Sequence, residues 1–424
     1  MPRPPYTGTV TSESTATGLA RRILAFAGLP FLSLVTPFLF LPILARVAGA
    51  EAWLAIAVGQ SVGAFLALVV ALGYNTVGPT MVALVAAEER PALLRRSVLA
   101  RALLFVPCAV LAVAISLVIA PEGHRIEAGT MSLAMTLTGL SSAWYMIGLG
   151  RAGLIVRYEI FPRILATAIA AAALLVWGQV IWYPLLLVAA AVVSVVWYLL
   201  STVGMSALLE KRPGEIREVM AFNRSAMATE LVGGAYNSLA VTFVSVTAST
   251  AQAASYVSGD KLYRIGQYST SALGNALQGW VVEDDRAHFA ERARRTLVLH
   301  ASLGVVGFAS FAFLGPWLSG ILFGDSVAID EGTALALGVA TFGIAVGTAL
   351  GRVILIGLGA RREFLTCVII GASIGVPAIL ILAANFGAAG GAWGLAIGEL
   401  ASVTSQLVFV IRRWNSPLGA APAR

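Results

Sequence analysis

The amino-acid sequence predicts an all-α polytopic membrane protein, with twelve transmembrane helices in two six-helix lobes related by a pseudo-twofold axis along the membrane normal. Three observations carry this reading. Of 424 residues, 58% are hydrophobic and 12% are charged, against about 25% charged in a soluble domain, and the mean hydropathy is +0.87. Apolar runs close to the roughly 20 residues that span a bilayer recur along the whole chain. Basic residues collect in alternate connections between those runs.

Residues 1–20 are rich in Pro, Ser and Thr and lack an apolar run, which predicts a disordered cytoplasmic tail. Arg21 and Arg22 then precede the first span, 23–45. That run exceeds the roughly 7 to 15 residues of a signal-peptide core, and similar runs follow it, so it reads as a membrane helix. Pro30, Pro37 and Pro42 each remove a backbone hydrogen bond and predict a bend. Spans at 52–80, 98–120, 129–149, 162–179 and 181–203 complete an N-terminal lobe, 21–203. A charged cytoplasmic connector, 204–225, leads into a C-terminal lobe, 226–411. Its spans are 226–248, 252–281, 297–323, 333–357, 364–385 and 388–411, and residues 412–424 form a second cytoplasmic tail.

Placing the N-terminus inside puts 24 of the 28 basic residues, Arg101 among them, in inward loops and helix ends. Outward loops hold only Arg46 and Arg125, so both termini are predicted to be cytoplasmic. The remaining two, Lys261 and Arg264, fall inside the eighth span. The halves also echo each other. Glu88-Glu89 before Arg95-Arg96 match Glu283-Asp284-Asp285 before Arg294-Arg295 at an offset of 199 residues, and Gly73-Tyr74-Asn75 is matched by Gly274-Asn275 at an offset of 200. Because six spans are an even number, both halves enter from the same side, and parallel repeats predict a substrate path at their interface.

The eighth span carries the chemistry. Asp260, Lys261 and Arg264 are charges in an apolar frame, where each costs roughly 2.5 to 3.5 kcal/mol on insertion scales and faces a bundle interior or a water-filled path. Asp260, Arg264, Gln267, Tyr268, Ser271, Asn275 and Gln278 step by three or four along one helical face. Asp260 and Arg264, spaced i,i+4, can neutralise each other and leave Lys261 as a net positive group. Such a pair also serves to hold a bundle together; against that purely structural role, the polar stripe continues well beyond it. A cationic cavity suits an anionic ligand, since Lys offers phosphate a point charge and Arg a fork. Gln267, Tyr268, Asn275 and Gln278 supply donors and acceptors for a hydroxylated headgroup. Only Glu230, Asp260 and Glu399 among the acidic residues fall inside predicted spans, all in the C-terminal half. Glu230 and Asp260 are the candidate ion-coupling carboxylates. The first half offers Gln60 and Asn75 in its second span, with Arg46 at the outer end of its first.

Other chemistry is disfavoured. Cys108 and Cys367 lie in apolar runs and His124, His288 and His300 on separate segments, so no disulfide framework, metal site or cofactor is predicted. Gly148, Gly150 and Gly153 fit the GxGxxG pattern but follow no strand. Gly343, Gly347 and Gly351, and likewise Gly390, Gly394 and Gly398, recur every four residues and predict close helix approach. Most of the nine tryptophans lie near predicted span ends, as an interfacial belt would place them, while Trp144 and Trp393 are placed to line a cavity. The longest outward connections, 121–128 and 324–332, are too short for an external catalytic domain, so no enzyme is expected, and in a membrane protein the net charge of +7 reports cytoplasmic anchoring rather than a nucleic-acid partner.

Leu44-Ala45-Arg46-Val47-Ala48-Gly49-Ala50-Glu51, with the span ending Leu72-Gly73-Tyr74-Asn75-Thr76, resembles the opening of the polysaccharide (oligosaccharidyl-lipid) flippases of the multidrug, oligosaccharidyl-lipid and polysaccharide exporter superfamily. Ser142-Ala143-Trp144-Tyr145-Met146-Ile147-Gly148-Leu149 is similar to their aromatic-Gly motif closing the fourth helix. Tyr256-Val257-Ser258-Gly259-Asp260-Lys261-Leu262 is similar to their acidic-Lys motif in the eighth. Gly387-Ala388-Ala389-Gly390-Gly391-Ala392, with Glu399 beyond it, resembles the approach to their twelfth. The likeness covers about residues 21 to 411, with Ala50 where the family usually has proline. It implies two lobes around a central cavity and alternating access, moving an oligosaccharide on a polyprenyl (di)phosphate carrier across the bacterial plasma (inner) membrane for cell-surface polysaccharide assembly. By this resemblance Lys261 and Arg264 contact the phosphate. The implied partners are the lipid-linked saccharide, the bilayer, and a polysaccharide polymerase or glycosyltransferases. Two competing expectations are a cation-coupled multidrug exporter of the same superfamily and a non-transporting scaffold of an assembly complex. The exporter commonly uses carboxylates embedded in the first lobe, and no predicted span there holds one.

Overall fold

The computed structural model describes residues 16–204, 215–282 and 286–415. The stretches 1–15 and 416–424 of the expected tails, 205–214 of the connector and the acidic triplet at 283–285 lie outside the described residues. Helix α1 (Ala16–Ala71) runs through the first two predicted spans. It stays helical through Pro30, Pro37 and Pro42, and the break falls instead at Gly49, whose φ of 80° is open to a residue without a Cβ. A second break at Leu72 and Gly73 precedes α2 (Tyr74–Leu84), and α3 (Arg90–Ile119) follows. The fourth predicted span is also split, into α4 (Arg125–Leu137), a 3-10 turn at Thr138–Leu140 and α5 (Ala143–Gly148). The chain then passes through α6 (Ala152–Ile155) and a π turn (Val156–Ile160) into α7 (Phe161–Trp177), and on to α8 (Trp182–Thr202).

The second half comprises α9 (Glu215–Thr247), α10 (Thr250–Val282) and α11 (Arg286–Phe323), followed by α12 (Glu331–Gly347) with its π-turn extension Thr348–Leu355. Helix α13 (Arg361–Asn415) ends the described chain and is broken at Gly387. Among the described residues no strand occurs, and seven helical segments are long and apolar enough to cross a membrane. The chain is therefore a multi-pass membrane protein. Helix α10 is long enough as well, at 33 residues, but its polar stripe keeps it outside that apolar set. The segment Arg361–Trp414 has 54 residues. At about 1.5 Å per residue it is more than twice the ~30 Å hydrocarbon core, so the Gly387 break divides two rods that can each cross it. Left-handed glycines recur between the halves, with Gly150 and Gly359, and Gly178 and Gly387, each 209 residues apart.

Packing follows the small residues. A Cβ on Gly394 would lie 2.4 Å from the backbone nitrogen of Ile379, so the two rods of α13 meet backbone to backbone, as the glycine spacing predicts. Helix α1 packs on α4, α9 and α10, around a core holding Trp53, Tyr256 and Val257. Cys108 and Cys367 are buried and unbridged. Trp144 is buried against Tyr74, at a ring separation of 4.6 Å, over Gly78, and is not among the residues lining the cavity between the halves.

Arg101 departs from the inward-anchor role. Only 1% exposed, it sends Nη1 to the carbonyls of Gly139 (3.1 Å) and Ser141 (2.8 Å), Nε to the carbonyl of Ser97 and Nη2 to the Ser97 hydroxyl. Its guanidinium also lies 5.5 Å from the Tyr74 ring centre and 5.7 Å from that of Trp144. The break at 138–142 frees carbonyls from their helical donors, and a five-donor fork replaces those donors without water. Arg101 thus ties the broken fourth span to the start of α2.

Candidate functional site

A cavity of about 330 Å³ lies between α1, α4, α7, α8, α9 and α10, within the usual size range of small-ligand pockets. Much of its wall is apolar, with Met131, Met135, Leu187 and Val195 among the lining residues, and its charged lining residues are Glu159, Arg163, Asp260, Lys261 and Arg264. One surface therefore suits a hydrocarbon or ring face and another an anion.

The polar end is built on α10. Asp260, Arg264 and Tyr268 stand on successive turns of one face and all reach the cavity, with Lys261 beside them. Arg264 donates from Nε to Asp260 Oδ2 at 2.8 Å and from Nη2 to the Asn237 carbonyl at 3.1 Å. The Asp260 side chain is 3% exposed and that of Arg264 32%, so the carboxylate is the buried anchor and the guanidinium faces the space. Lys261 Nζ donates to Gln60 Oε1 on α1 at 2.6 Å, and no ion pair to Lys261 occurs among the described residues. Neighbouring bonds fasten the wall: the Trp53 indole donates to Ser258 Oγ at 3.2 Å, and Ser61 Oγ donates to the Ser238 carbonyl at 2.6 Å.

Other expected site residues point elsewhere. Gln267 donates to Asn237 Oδ1 at 3.3 Å, and Asn275 accepts from Arg352 at 2.7 Å. Gln278 is half-buried and Asn75 exposed, and neither lines the cavity. Arg46 is exposed and donates to the Ile321 carbonyl. Glu230 Oε1 accepts from the Thr76 backbone N–H (2.9 Å) and hydroxyl (2.8 Å). It thereby adds an acceptor to the first turn of α2, as a capping side chain does, where the Thr76 N–H otherwise has only the Gly73 carbonyl at 3.1 Å. Glu399 sits with Tyr263, whose hydroxyl is 3.5 Å away, outside the cavity lining.

The structure also adds residues that the sequence reading passed over. The expectation that the first half embeds no carboxylate is wrong, because Glu159 lines the cavity and accepts from Ser141 Oγ at 2.6 Å and from the Ser142 backbone N–H at 3.1 Å. The cause is local. Helix begins at Ala152 and continues through a π turn, so Glu159 and Arg163 enter the bundle ahead of or at the edge of the apolar run that marks the predicted span. The overlooked signal is that Glu159 and Arg163 repeat the i,i+4 acid-then-Arg spacing of Asp260 and Arg264. Among the described residues no three His, Cys, Asp or Glu side chains converge as metal ligands.

No family model and no curated protein matches the sequence. In fold the chain is similar to solved structures of membrane transporters. A lipid II flippase, MurJ, in an inward closed conformation has 12% identity over 92% of this chain and 89% of that one, with a TM-score of 0.68. An inward-facing multidrug resistance MATE family transporter of the MOP superfamily has 15% identity over 95% and 100%, with a TM-score of 0.59. A eukaryotic MATE transporter has 15% identity over 93% and 96%, with a TM-score of 0.52. The chain thus shares its fold with transporters over nearly its full described length.

Proposed function

We propose that this protein is a flippase that moves an oligosaccharide linked to a polyprenyl phosphate or diphosphate from the cytoplasmic to the outer leaflet of a bacterial plasma membrane. The observation that carries the reading is the amphipathic cavity, with Lys261 and Arg264 presented on the α10 wall and apolar side chains over much of the rest. The cations suit a phosphate, and Gln60, Ser61, Thr138 and Tyr268 suit hydroxyl groups. In this reading the breaks at Gly49 and Gly387 divide long helices into pairs, giving twelve crossings in two six-helix lobes. The 209-residue recurrence of left-handed glycines supports the duplication. Rocking of one lobe against the other exposes the cavity to each side in turn, with both termini in the cytoplasm.

The test is accumulation of untranslocated lipid-linked oligosaccharide in a strain lacking the protein and any redundant flippase. Normal surface polysaccharide in that strain sinks the proposal. One observation favours a second reading, export of organic cations coupled to an ion: Glu159 places a carboxylate in the first half of the chain, at the cavity. Unchanged drug susceptibility on overexpression counts against that alternative.

A further inference from the structure

We infer that the cavity is charged to accept one negative charge, that Glu159 sets this limit, and that the carrier headgroup is therefore a phosphodiester with a single phosphate. The inference rests on the flippase reading above and narrows its substrate class. The charged lining residues are three cations, Arg163, Lys261 and Arg264, and two carboxylates, Glu159 and Asp260, for a net charge of one positive. Asp260 is consumed by Arg264, at 2.8 Å. Lys261 has three donors and spends one on the neutral Gln60 amide. Glu159 is held in the wall by the Ser141 hydroxyl and the Ser142 N–H, and no Glu159–Arg163 ion pair occurs among the described residues although the two are one turn apart. The arrangement therefore presents two cations not committed to a carboxylate and one fixed negative charge facing the same space.

Between largely apolar walls, charge left over after binding is costly. A sugar–phosphate–prenyl diester brings one negative charge and makes the occupied cavity neutral. The corresponding diphosphate brings two, and leaves an excess negative charge in a space that Glu159 already shares. Removing the Glu159 charge should therefore admit the diphosphate.

The experiment compares two probes with the same hexose and the same short prenyl chain, one joined by a phosphate and the other by a diphosphate, binding to the purified full-length protein in detergent. The expected result is at least a tenfold preference for the monophosphate in the wild type. Glu159→Gln should reduce that preference about tenfold, and Glu159→Asp should keep it. Equal or tighter binding of the diphosphate by the wild type overturns the inference alone, as does an unchanged ratio in a folded Glu159→Gln protein. Binding of neither probe removes the flippase reading and the inference with it. The wild-type comparison needs no variant and so stands even if Glu159→Gln fails to fold.

Discussion

Lys261 Nζ and Gln60 Oε1 lie 2.6 Å apart where α10 meets α1, although 201 residues separate them in the chain. The contact joins the two halves of the protein at the cavity wall, and it leaves the lysine charge opposite a neutral amide. Lys261→Met should therefore weaken binding of a phosphate-bearing lipid about 10- to 100-fold, the loss of one charge-assisted hydrogen bond worth about 1.5–3 kcal/mol. Thermal stability should fall much less, because no ion pair is broken and the Gln60 amide released from Lys261 faces the cavity. Binding and unfolding measured on the same preparation separate the two effects, and an unfolding shift that matched the loss of binding would assign Lys261 a structural role.

Arg264 should behave differently. Its partner Asp260 is 3% exposed, so Arg264→Met leaves an uncompensated buried carboxylate, a loss of about 3–5 kcal/mol. Folded protein, read by size exclusion of a fluorescent fusion, should fall sharply. The double variant Asp260→Asn with Arg264→Met should regain most of it while still binding phosphate lipid weakly. A single Arg264→Met protein as stable as wild type would show that the pair contributes nothing to folding.

These contrasts also explain how much of the site is legible in the sequence. Asp260, Lys261 and Arg264 stand out because charge is rare within an apolar run, and Gln60 stands out as a polar side chain in the second predicted span. Glu159 escapes notice because a short helix and a π turn carry it into the bundle before the predicted span begins, and Arg163, at the start of that span, reads as an inward anchor. Asn275 shares the polar stripe, yet its amide is taken by Arg352. Spacing along one helix gives the facing of a residue but not its partner on the next. The breaks at Gly73 and at 138–142 leave almost no mark in hydropathy, since the residues there are small or neutral, and so the roles of Arg101 and Glu230 at those breaks stay hidden as well.

Glu230 provides a test of capping against ion coupling. Its Oε1 accepts two hydrogen bonds from Thr76 at the start of α2. Glu230→Ala should lower stability by about 0.5–2 kcal/mol, the usual range for a lost N-terminal cap, and should leave phosphate-lipid affinity unchanged. Glu230→Gln keeps an acceptor and should recover most of the stability. A Glu230→Gln protein of normal stability whose transport no longer varies with pH would instead make Glu230 a coupling residue.

Arg101 offers a second large stability change, away from the cavity. With the side chain shortened, the carbonyls of Gly139 and Ser141 lose the Arg101 donors that bridge the break in the fourth span. Each unsatisfied buried acceptor costs about 1–3 kcal/mol, so Arg101→Met should destabilise the protein by about 2–4 kcal/mol. Arg101→Lys should fall between, because an ammonium lacks the planar fork that spans two carbonyls while lying against Tyr74 and Trp144. Arg151, which is exposed, is the matched control, and its replacement by alanine should stay within about 0.5 kcal/mol. Thermal unfolding of the three variants in one detergent decides the matter: if Arg101→Met and Arg151→Ala shift alike, the buried guanidinium is not what holds the two broken helices together.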